Sequence, residues 1–152
     1  MRWFVSIALV AVGSLAVVAA EKTDAAKEEA ALWQGTWRAV SFEHDGKQTP
    51  TEKLKPIKLT VEGTNYTFEN GDFKESGTYR FDPAQKPKAL DIVVGGGADK
   101  GKVYLVIYKV DGDDLTICLE SENKHRPTEF TGKEGSGCVL EVWRREKPAA
   151  AN

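Results

Sequence analysis

From Gly35 onward the chain runs in short segments that alternate apolar and polar residues, and few folds accept that period of two. Ile57, Leu59 and Val61 alternate with Lys58, Thr60 and Glu62, and Tyr66 and Phe68 with Asn65, Thr67 and Glu69. Tyr79 and Phe81 alternate with Thr78 and Arg80, and Leu115, Ile117 and Leu119 with Thr116, Cys118 and Glu120. Such alternation marks strands with one buried and one wet face. Asp45-Gly46, Glu62-Gly63, Asn70-Gly71, Asp82-Pro83 and Asp111-Gly112 separate the runs, and each pair suits a tight turn. The pattern predicts strands over 36–43, 57–62, 65–69, 75–81, 89–94, 102–110, 114–120 and 138–145, with a turn of helix in 49–56. Many short strands with hairpin-length links imply an antiparallel meander. Eight strands can close into a barrel, which removes exposed edges and leaves room for side chains or one small ligand. The expected fold is therefore all-β: an eight-stranded antiparallel β-barrel.

The first part of the chain follows other rules. Met1-Arg2-Trp3 is a short basic start, Phe4–Val18 is almost wholly apolar, and Val18-Ala19-Ala20 ends it in small residues. This is the layout of a secretory signal peptide over 1–20, cut after Ala20. The predicted product is secreted or periplasmic, with no membrane span after cleavage. Ala- and Glu-rich residues then predict a short helix over Asp24–Leu32, capped by Asp24 and ended by Gly35. The organisation expected is a helical segment over 21–31, one barrel domain over 32–146 and a disordered tail over 147–152.

Composition narrows the function classes. With 21 Lys and Arg against 23 Asp and Glu, nothing favours a nucleic-acid partner, which needs a basic surplus. Two His and two Cys leave little for a zinc site. His44 falls in a turn beside Asp45 and His125 in a long loop beside Arg126, both read as solvated. Gly96–Val103 nearly spells a phosphate loop, but Val103 stands where Ser or Thr would hold magnesium, and a strand follows instead of a helix. Glu62, Glu69 and Glu75 are expected on outward strand positions as solvated charges, and Asn65-Tyr66-Thr67 is read as an inert glycosylation triplet. No catalytic constellation, metal site or cofactor is predicted.

Leu32-Trp33-Gln34-Gly35-Thr36-Trp37 opens the first long strand with Gly-x-Trp, and the last strand ends in Arg144-Arg145. This is similar to the lipocalin and fatty-acid-binding-protein superfamily. The resemblance implies that Trp37 plugs the closed barrel end and that an Arg packs over it, so Gly35, Trp37, Arg144 and Arg145 are the candidate floor. A closer resemblance covers 32–146 and includes Asp45-Gly46-Lys47, Lys86–Asp91, Gly101-Lys102, Asp111-Gly112-Asp113, Arg126–Phe130 and Gly135-Ser136-Gly137. Together these resemble a family of small exported lipocalin-like domains, abundant in planctomycete bacteria, whose function is uncharacterised. The resemblance puts the terminal Arg at Arg145, whereas strict alternation from Val142 favours Arg144.

That alternation sends Leu140, Val142 and Cys138 inward, because the opposite choice buries Glu141, and it sends Cys118 outward. Direct bridging requires both Cβ atoms on one face. Export favours a closed pair, so a Cys118–Cys138 disulfide stays open. Cys118 fits the family pattern and Cys138 does not.

The 121–137 loop is long for a hairpin link, and Arg126, Pro127, Glu129 and Phe130 mark it as a candidate rim or lid. Inward aromatics form the candidate ligand lining: Tyr66, Phe68, Tyr79, Phe81, Tyr104 and Tyr108. Each ring buries ~150–250 Å², so about six could equally fill the barrel. Two functions follow: a non-catalytic binder of a small apolar or amphipathic ligand, or a filled-barrel structural or protein-interaction module of the cell envelope.

Overall fold

Helix α1 (Ser14–Trp33) leads into nine strands in a computed structural model that describes residues 14–149. The strands are β1 (Gly35–His44), β2 (Lys47–Gln48), β3 (Ile57–Glu62), β4 (Asn65–Asn70) and β5 (Phe73–Asp82). They continue as β6 (Ala89–Val94), β7 (Val103–Asp111), β8 (Asp114–Glu120) and β9 (Cys138–Arg145). Helix α2 (Thr51–Leu54) supplies the single helical turn expected before Pro56.

Each strand from β3 to β8 pairs antiparallel with the next, and β1 pairs with both β3 and β9. The barrel thus closes with eight strands, and β2 is a two-residue addition against the end of β1. Its brevity hid it from a period-two reading. The β1–β9 register slips between Ala39 and Ser41, leaving Val40 48% exposed as a bulge. The extra residue resets the alternation, so Trp37 and Phe42 both pack on the interior.

The export signal falls largely outside the described residues. Helix α1 runs unbroken through Glu21–Asp24, so Asp24 is an interior helical residue and not a cap. No Gly or Pro interrupts 14–33, and the Ala-rich sequence sustains the helix. None of the described helices is long and apolar enough to cross a membrane.

The end of α1 closes one end of the barrel. Trp33 is fully buried and meets the rings of Tyr79, Phe81 and Tyr108 edge-on at 5.1–5.4 Å. One turn back, buried Glu29 accepts the Tyr108 hydroxyl at 3.0 Å and pairs with Lys88. Gln34 clasps the β3–β4 turn, donating to the Gly63 carbonyl at 2.9 Å and accepting the Gly63 N–H at 2.7 Å. Gly35 turns the chain from helix to strand at φ +109°, a conformation that a side chain would strain.

Trp37 is also fully buried, and its indole N–H donates to the Trp33 carbonyl at 2.8 Å. The Arg145 guanidinium lies 4.1 Å from the Trp37 ring centroid and donates to the Gln34 carbonyl and, at 2.7 Å, to the Leu32 carbonyl. Arg145 therefore satisfies helix-end carbonyls while it covers the plug. Arg144 is not part of this floor: it faces solvent and pairs with Asp114 at 2.8 Å.

Candidate functional site

Above the floor the barrel is not filled. A cavity of about 180 Å³ opens between the strands, walled by Leu59, Tyr66, Phe68, Phe73, Tyr79, Ile92, Tyr104, Ile117, Leu119 and Trp143, with Glu75 and Glu141. The barrel is thus packed at one end and hollow at the other.

Of the six aromatics expected to line a ligand site, Tyr66, Phe68, Tyr79 and Tyr104 stand in this wall. Phe81 and Tyr108 do not. They pack against Trp33 at the floor, where the helix takes up the space below them. Tyr66 and Tyr79 stack at 4.8 Å with nearly parallel rings. Gly77 makes that possible, because a Cβ there would fall 2.7 Å from the Tyr66 ring and 2.0 Å from the Val93 carbonyl oxygen. At the rim Phe73 is 57% exposed and meets Phe68 edge-on at 6.2 Å.

Two carboxylates enter this wall against expectation. Glu75 shares its face with Tyr79 and Phe81 on β5, and the Tyr66 hydroxyl donates to it at 2.8 Å. Glu141 shares its face with Trp143, whose indole N–H donates to it at 3.1 Å. Desolvation raises the Glu141 carboxyl to about 7, offset in part by that indole. Burial, followed by the Glu75 carboxylate, pushes the Tyr66 phenol well up, and burial does the same to Tyr79. Glu62 and Glu69 are outward as expected, with Glu69 between Lys58 and Lys74.

The register of β9 reverses the predicted alternation. Cys118 pairs with Leu140, and Glu120 with Cys138, on the outer surface, where both thiols are buried and free. They form a small second core with Ile107, Leu140 and Phe130. Burial raises the Cys118 thiol to about 11, opposed in part by backbone hydrogen bonding at Thr131.

This outer core is roofed by the 121–137 loop, which is therefore not a lid on the cavity. Arg126 donates to the Leu90 carbonyl at 2.8 Å, the Val106 carbonyl at 2.7 Å and Asp91 at 2.6 Å, fixing the loop across β6 and β7. Phe130 packs on the second core with the Lys109 ammonium 5.2 Å from its ring centroid. Pro127 is half-buried and Glu129 exposed in the same strap. Neither belongs to the cavity wall.

His44 and His125 are both exposed, His44 at the end of β1 and His125 beside Glu120 at 3.5 Å. No cluster of three or more metal-ligating side chains occurs among the described residues. The glycine-rich segment after β6 is a hairpin link, closed by Gly101 N–H to the Val94 carbonyl at 2.8 Å.

No protein-family model matches the chain, and no curated protein does. Among solved structures, a DUF4847 family protein from Bacteroides vulgatus is similar at 12% sequence identity, over 80% of this chain and 99% of that one, with a TM-score of 0.49. A likeness at that level assigns no family, ligand or activity to this chain.

Proposed function

We propose that this is an exported, non-catalytic protein that binds a small amphipathic molecule in the hollow end of its barrel, in the manner of the lipocalin-like domains it resembles in sequence. The observation that carries this reading is the cavity of about 180 Å³ above a separately packed floor. A dry cavity of about 150 Å³ can hold benzene, so this one suits a molecule of about six to eight non-hydrogen atoms. Most of its wall is aromatic or aliphatic, and the few polar groups are placed to orient a bound molecule.

Native mass spectrometry of the purified protein and titration with a fluorescent hydrophobic probe test the reading. Saturable probe binding that Leu119→Trp abolishes by filling the cavity is expected. A protein with no bound mass and no saturable probe signal would reject it, in favour of a protein-interaction role for the barrel.

A further inference from the structure

The cavity carries more polar chemistry than an apolar ligand requires. Glu75 enters from β5 and Glu141 from β9, and among the described residues no Lys, Arg or His stands in the wall. Around the two carboxylates stand the rings of Tyr66, Tyr79, Tyr104 and Trp143. Tyr79 is only 4% exposed and stands in the same wall as both carboxylates. One ammonium already responds to this lining: Lys102 at the rim holds its Nζ 4.8 Å from the Tyr104 ring centroid.

We propose that the ligand is a small organic monocation, an alkyl- or arylammonium, with its charge held by Glu75 and Glu141 and its apolar body against the tyrosine and tryptophan rings. This rests on the ligand-binding reading above and specifies the charge of that ligand. A carboxylate in a partly desolvated cavity gains from a cationic partner, and the electron-rich ring faces add to that attraction. The Tyr79 hydroxyl can accept an ammonium N–H. An anionic ligand would meet two carboxylates, and a neutral one would leave them without counter-charge.

The charge state of Glu141 couples binding to pH. The titratable and charged groups around it are Glu75 and Tyr79 from β5, Tyr66 from β4 and Tyr104 from β7, with Lys102 at the rim. Of these only Lys102 is cationic. A carboxyl that releases its proton at about 7 must be ionised to hold the cation, so affinity falls about 30-fold from about pH 8 to about pH 5.5.

Isothermal titration of the full chain with benzylammonium, benzyl alcohol and benzoate, three probes of one shape, tests the proposal. Benzylammonium is expected to bind at least about tenfold tighter than the other two at about pH 8, and to lose that advantage in both Glu141→Gln and Glu75→Gln. The near-ultraviolet dichroism of each variant reports whether its aromatic interior has kept its packing. Equal or tighter binding of the alcohol or benzoate overturns the cation proposal and leaves the ligand site standing. Binding of the hydrophobic probe without any of the three overturns it as well. Failure of all three together with the hydrophobic probe removes the site itself.

Discussion

The Trp143 indole donates to the Glu141 carboxylate at 3.1 Å, two residues apart on the inner face of β9. This contact places an acid inside a barrel whose wall is otherwise largely apolar. Burial of that acid makes the fold sensitive to pH in a direction opposite to most acid groups.

The Glu141 carboxyl is raised from an ordinary 4.5 to about 7, so the folded state keeps a proton that the unfolded chain releases. Its contribution is complete below pH 4.5 and declines as the pH rises through about 7. At ~1.4 kcal/mol per unit, the loss is on the order of 3 kcal/mol at most. Urea titrations of the wild type and Glu141→Gln between about pH 4 and about pH 9 isolate this group. The variant is expected to gain stability relative to the wild type as pH rises, with no such gain below about pH 4.5.

Gly77→Ala is expected to cost ~1–3 kcal/mol through overpacking. The added methyl falls 2.0 Å from the Val93 carbonyl oxygen and 2.7 Å from the Tyr66 ring, so both β6 and the stacked tyrosines must move. Chemical denaturation measures the cost, and weaker probe binding reports the shift of Tyr66.

Arg145→Lys keeps the charge and loses the fork. A lysine cannot cover Trp37 and reach the Leu32 and Gln34 carbonyls together. The expected loss is ~1–3 kcal/mol, from uncovering the Trp37 ring and leaving the part-buried Gln34 carbonyl unpaired. Arg144→Lys, on the exposed pair with Asp114, should change stability by less than ~1 kcal/mol in the same denaturation experiment.

Arg126→Ala separates a strap from a lid. It removes three hydrogen bonds that hold the 121–137 loop on β6 and β7. Limited proteolysis is expected to cut this loop several-fold faster, while ligand affinity stays within about twofold of wild type. A large change in affinity would mean that the loop reaches the cavity.

Most of the strand plan was legible because its period of two is set by the pleat and punctuated by turn pairs. The faces were less so. Assigning carboxylates outward is sound for a filled barrel, but the hollow end lets Glu75 and Glu141 enter without full desolvation. The signal was present: Arg145 over Trp37 requires Trp143 and Glu141 to share its face, and Glu75 shares the parity of Tyr79 and Phe81. Two features had no local signal. The Val40 bulge is set by the β1–β9 register, and Phe81 and Tyr108 became floor residues only because α1 packs Trp33 beneath them.

The three described tryptophans allow a direct test of the hollow end as a binding site. Trp143 stands in the cavity wall, while Trp33 and Trp37 lie in the sealed floor. Following their indole N–H resonances by NMR during titration with benzylammonium and with benzyl alcohol should show Trp143 moving saturably, while Trp33 and Trp37 stay in place. A Trp143 resonance unmoved by either compound would contradict the account.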